Sequence, residues 1–175
     1  MIRLDWSRKK LSDERLDSDL QQLGADVQVG ILCLSDNMLT FVPSLVQCKQ
    51  FKMLKVLKLD GNNITTITMN RISPSCESLC LNGNQIIDLS GLQPLPQLKH
   101  LFLCDNNIEH LDLSHSPSSL GRLALANNKL TSVPDLRHCE HLISLALDEN
   151  SISDVTTIQY YMVTVMSNNL REVPD

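Results

Sequence analysis

Cys80, His100 and Cys104 could together bind a soft metal ion or supply a nucleophile. Two thiolates and an imidazole are zinc donors, and a cysteine oriented beside a histidine can attack an acyl carbon. Their spacing opposes both uses. Neighbouring strands stand about 4.8 Å apart and two residues along a strand span about 6.6 Å, so donors on adjacent strands do not converge on a tetrahedral point. A second group, Arg137-His138-Cys139-Glu140-His141, is metal-capable residue by residue. Its cysteine is expected to point inward and its histidines outward, as in an ordinary outer segment. No Cys-x-x-Cys, Gly-rich phosphate loop, G-x-S-x-G or H-E-x-x-H occurs. A smooth sheet lacks the pocket and oriented base that a nucleophile needs. No enzymatic activity, metal or cofactor is therefore expected.

These residues sit within a repeated frame. Leu98 to Ile108 reads LKHLFLCDNNI, with Leu98, Leu101, Leu103, Asn106 and Ile108 at fixed spacing. The alternation around Leu101 and Leu103 predicts a short half-buried strand. The same frame recurs at Val29-Leu32-Leu34-Asn37-Leu39, Leu54-Leu57-Leu59-Asn62-Ile64 and Cys76-Leu79-Leu81-Asn84-Ile86. It recurs again at Leu120-Leu123-Leu125-Asn128-Leu130 and Leu142-Leu145-Leu147-Asn150-Ile152. Leu4 to Leu11 is a degenerate first copy, with Trp6 at an inner leucine and Lys9 where asparagine belongs. After it, Ser12 is an N-cap candidate, Leu16, Leu20 and Leu23 have helical spacing, and Gly24 is placed to end a helix. Residues 1–28 thus read as an N-terminal cap within a single domain of 1–175, about eight repeats long.

The period shortens along the chain. The step from Lys9 to Asn37 is 28, from Asn37 to Asn62 it is 25, and the next four steps are 22 each. A long repeat has room for an outer helix and a short one only for a turn or 3₁₀ segment. Pro43, Pro94, Pro96, Pro117 and Pro134 fall in these outer segments, clear of the strands. The eighth copy fits best at Tyr160-Val163-Val165-Asn168-Leu170, only 18 after Asn150. Residues 153–175 therefore read as irregular, and the chain stops in mid-repeat at Val173-Pro174-Asp175. Three readings compete there: a fragment or splice form of a longer protein, an end that pairs with another copy, or a frayed last unit.

Hydrophobic residues make up 42% of the chain and aromatics 3%, so aliphatic side chains must fill the core. The net charge of −5 with no basic cluster argues against nucleic acid or an anionic membrane as partner. No apolar leader and no run long enough to cross a bilayer is visible. The six cysteines are spread through the repeats without forming end caps, which predicts free thiols in a reducing, cytoplasmic setting.

The frame L-x-x-L-x-L-x-x-N-x-L resembles the leucine-rich repeat superfamily, over nearly the whole chain. The 22-residue units are similar to its short intracellular type, which includes a phosphatase-1 regulatory subunit, a dynein light chain and several centrosomal or ciliary scaffolds. The resemblance implies an α/β solenoid, a horseshoe with a concave parallel β-sheet, its convex side helical near the N-terminus and 3₁₀ or irregular later. It also implies protein binding. The family's structural asparagines fall on Asn37, Asn62, Asn84, Asn106, Asn128, Asn150 and Asn168.

Binding residues belong at the variable positions between the leucines, which face outward. The candidates are Lys58, Asp60, Cys80, Asn82, His100, Phe102, Cys104, Asp105, Arg122 and Asp148. Phe102, flanked by Cys80 and Ala124, reads either as a binding hot spot or as a residue that merely packs over its neighbours. Asp36, Asp60, Asp105, Asp148 and Glu149 line one edge, where they either steer a basic partner or form a solvated rim. The expected function is a scaffold or regulatory interaction module; the alternative is a structural or autoinhibitory segment of a larger protein.

Overall fold

The computed structural model describes residues 1–24, 26–89, 95–114 and 116–153. Pro94, the eighth copy with Asn168, and Val173-Pro174-Asp175 lie outside them. The chain winds as a series of turns, each contributing one strand: β1 (Ile2–Asp5), β2 (Val29–Cys33), β3 (Val56–Lys58), β4 (Ser78–Cys80), β5 (His100–Phe102), β6 (Arg122–Ala124) and β7 (Ser144–Ala146). They form one parallel sheet in sequence order. The register follows the repeat: Leu32, Leu57, Leu79, Leu101, Leu123 and Leu145 stand side by side.

Alternation explains the strands. The central leucine of each points into the solenoid while its neighbours point out, and β3, β4 and β5 each bury only the middle residue. Leu34, Leu59, Leu81, Leu103 and Leu125 form a second fully buried row, and Leu39, Ile64, Ile86, Ile108 and Leu130 a third. No single repeat could cover these rows; stacking does so, which makes neighbouring repeats mutually dependent.

The outer side changes with repeat length. In the longest repeat it holds α1 (Asp13–Gln21), capped by the Ser12 hydroxyl, which accepts from the Arg15 N–H. Leu16 and Leu20 are its buried face. The helix ends at Gln22, whose N–H reaches Asp19 and Leu20 carbonyls, so Gly24 lies beyond the end it was expected to make. The 25-residue repeat holds a 3₁₀ turn at Lys49–Phe51, whose Phe51 fills the extra width, and the next holds one at Met69–Arg71. Among the described residues of later repeats the outer side is turns alone.

The asparagines join each repeat to the one before. The Asn106 Oδ1 accepts from the Ile86 N–H at 3.1 Å, and its Nδ2 donates to the Leu81 and Leu103 carbonyls, both at 3.0 Å. Asn62, Asn84, Asn128 and Asn150 repeat the pattern. Asn37 likewise donates to the Trp6 carbonyl and accepts from the Lys9 and Leu11 N–H groups. Each ladder asparagine reaches toward the N-terminus, so Asn37 also serves the turn of the first copy, where Lys9 stands in the asparagine's place.

Before each described ladder asparagine the backbone turns left-handed, at Asp36, Gly61, Gly83, Asp105, Asn127 and Glu149, as it does at Arg8 before Lys9. A Cβ built on Gly61 would stand 2.5 Å from the Asp36 Oδ1, whereas Gly83 is 3.7 Å or more from its neighbours. On the opposite margin, Glu77 bridges Lys55 at 2.6 Å and Lys99 at 2.9 Å. Its hydrogen bonds to Lys55 and then Lys99 hold its carboxyl down at about 2, from an ordinary 4.5.

Three stability measurements follow from these contacts. In urea unfolding, Asn106→Ala is expected to lose about 3 kcal/mol, since buried backbone groups lose their partner; the half-buried Asn150→Ala loses less. Gly61→Ala costs more than Gly83→Ala, which bears only the left-handed strain of roughly 1–2 kcal/mol, and an Asp36→Ala background brings the two together. The Glu77 contribution is present above pH 4.5 and disappears as the pH falls through about 2, so Glu77→Gln is less stable at pH 7 and converges with the wild type near pH 2.

Candidate functional site

The concave face consists of outward columns that cross the strands at right angles. One runs Arg3, Ile31, Val56, Ser78, His100, Arg122, Ser144. The next runs Asp5, Cys33, Lys58, Cys80, Phe102, Ala124, Ala146. Beyond the strand ends follow Ser35, Asp60, Asn82, Cys104, Ala126 and Asp148, and then the left-handed residues. The sheet therefore brings Cys80, His100, Phe102, Cys104 and Arg122 together on adjacent strands, with Lys58 one strand further off.

Phe102 is half-buried and not fully exposed. The His100 ring lies beside it, centroids 6.4 Å apart and planes 27° from parallel. Cys80 and Ala124 flank it across the sheet. The result is a partly exposed aromatic side chain set among small neighbours. His100 Nδ1 is buried with no hydrogen-bond partner. The Cys80 and Cys104 thiols are both half-buried, and burial pushes them up, which keeps them neutral. Cys33, in the same column as Phe102, is buried outright and leaves no surface to bind.

The margin by the asparagines is more occupied than the residue types suggest. The Asp60 Oδ1 accepts from both the backbone N–H and the Nδ2 of Asn82 at 3.0 Å. The Asn82 Oδ1 accepts in turn from the Cys104 N–H at 2.9 Å. Ser35 donates to Asp60, Asn127 donates to Asp105, and Arg8 pairs with Asp36. Asp60 and Asn82 are thus a second hydrogen-bonded seam between repeats, and a partner would have to compete with it. Arg122, Asp105, Asp148 and Glu149 are the exposed charges of this region.

The Glu77 bridge lay outside the candidates, although Lys55, Glu77 and Lys99 are spaced by 22, the repeat itself. Among the described residues no group of three His, Cys, Asp or Glu side chains is arranged to hold a metal ion. Cys139 is buried while His138 and His141 are exposed. A cleft of about 310 Å³ lies away from the concave face, between residues 109–112 and 130–135. Its Asp112 and Asp135 turn back to the Ser114 N–H and to Arg137.

No known protein-family model matches the chain, and no curated protein matches it in sequence. Solved structures do. The leucine-rich repeat protein LIC12759 of Leptospira interrogans superposes with a TM-score of 0.61 at 31% identity, over 77% of this chain and 34% of that one. A chain of the TLR13–ssRNA13 complex superposes with a TM-score of 0.69 at 23% identity, over 86% of this chain and 22% of that one. The chain spans about a third of the first protein's length and about a fifth of the second's. Stacked parallel strands, an inward leucine frame, the asparagine ladder and these likenesses converge: the chain is a leucine-rich repeat protein.

Proposed function

We propose that this repeat array is a protein-interaction module that takes its partner on the concave face, with Phe102 as anchor. The observation that carries this reading is an aromatic ring held by His100 and set among Cys80, Cys104 and Ala124 in mid-sheet. Rigid aromatic anchors with small neighbours supply much of the binding energy at interfaces. Arg122 on one side and Asp105 and Asp148 on the other would set the partner's orientation, with Lys58 contributing from a neighbouring strand. A scaffold or regulatory role in the cytoplasm accords with six free thiols.

The charges favour protein over nucleic acid. Arg3 and Arg8 are paired with Asp5 and Asp36, which leaves Lys58 and Arg122 against Asp60, Asp105, Asp148 and Glu149 on this face. A polyanion would meet net negative charge.

Affinity purification with mass spectrometry is expected to return a protein set that Phe102→Glu and Phe102→Ala both lose, with melting temperature unchanged. The direct interactor should bind the Phe102→Ala protein at least about tenfold more weakly, as expected of an interface anchor. Single-stranded RNA, titrated at low salt by fluorescence anisotropy, should not bind. Retention of every captured protein by Phe102→Glu would remove the concave site, and tight RNA binding would overturn the protein reading.

A further inference from the structure

The charges of the concave face are sorted along the strand direction. Lys55, Glu77 and Lys99 stand just before β3, β4 and β5, with both lysines on the one carboxylate, and Arg122 opens β6. At the strand starts three cations thus face one anion. Past the strand ends the sign reverses, with Asp60, Asp105, Asp148 and Glu149, while Lys129 lies beyond the ladder turn. The hydrogen bonds that Asp60 and Asp105 accept come from neutral amides, so both carboxylates keep their charge. Between the two margins Phe102 rises from the small, uncharged side chains of Cys80, Cys104 and Ala124.

The form of a partner segment follows from the backbone. The N–H and C=O groups of β3 to β6 are engaged strand to strand, so an extended peptide laid on the face would find no partners for its own. A helix satisfies its backbone internally. The margins lie five residues apart, from Arg122 to Asn127, which is about 16 Å of extended chain or about 11 helical residues, three turns.

We propose that the concave face takes a helix of the partner protein, lying along the strands and running opposite to them. Its basic first turn lies over Asp105 and Asp148, its acidic last turn over Lys99 and Arg122, and an apolar side chain between them meets Phe102. The helix dipole favours the same direction, its positive end over the acidic margin and its negative end over the basic one. A basic first turn and an acidic last turn oppose the dipole of a free helix, so few helices carry that order, and the sorted face selects those that do. This rests on the concave-face reading and adds the form, charge order and direction of the bound segment.

The test is a display library of stapled helical peptides about 15 residues long, randomised on their exposed positions and panned on the full chain. Binders are expected to carry Lys or Arg in the first turn and Asp or Glu in the last. Phe102→Ala, and separately the charge reversal Arg122→Glu/Asp148→Lys, should each weaken them at least about tenfold with the melting temperature unchanged. The charge-reversed protein, panned with the same library, should return the opposite charge order. A nitroxide on the first turn of a selected peptide should broaden the amide resonances of Asp105 and Asn127, and one on the last turn those of Lys99 and Arg122. Binders that need Phe102 but show no charge order, or the opposite order on the wild type, overturn this inference and leave the concave site standing. Binders indifferent to Phe102→Ala, or none at all, overturn the helix as occupant, and the affinity purification then decides the concave site by itself.

Discussion

The backward reach of the repeat asparagine is the constraint on which the solenoid rests. One amide accepts from the preceding repeat and donates to carbonyls of that repeat and its own, so it fixes both the turn after the strand and the distance to the previous turn. An apolar stack alone would hold repeats together but would tolerate rotation and slip between them. Buried amides cannot slip, because each lost partner leaves a polar group without water. The 22-residue spacing of the later repeats is what that geometry requires when the outer segment is only a turn. Additional length is absorbed outside, in α1 or a 3₁₀ turn, while the strands stay in register.

The ladder also determines what the concave face can offer. The asparagine is preceded by a left-handed residue, and glycine, aspartate and asparagine fill most of those positions because they tolerate it. Several of the acidic side chains along this margin therefore serve the turn first. Asp60 and Asn82 continue the service sideways as a seam of hydrogen bonds. The side chains not engaged in this way lie nearer the strand centres, around Phe102, and at the exposed charges Arg122, Asp148 and Glu149.

Much of this was readable from the residues. The leucine frame gave the strand positions, the register and the central place of Phe102, and the shrinking period gave the outer-side sequence of helix, 3₁₀ and turn. Ser12 was legible as a cap because its hydroxyl acts locally. The less legible features depend on neighbouring repeats. Cys33 occupies an outward position but is buried. The occupancy of Asp60 comes from Asn82, 22 residues on, and the Glu77 bridge from lysines 22 residues on either side. Reading the sequence along its repeat period, column by column, finds such contacts where reading along a single repeat does not. Gly24 was misread for a different reason: the carbonyls at the helix end are already engaged by Gln22, with no left-handed residue needed.

A parallel sheet whose backbone is satisfied internally can be recognised across its face only through side chains. The outward side chains of β4 to β6 lie outside the leucine and asparagine frame, so changing them leaves that frame untouched. The asparagine ladder bears on that face as well, since by fixing each repeat to the one before it holds the outward columns in line from strand to strand.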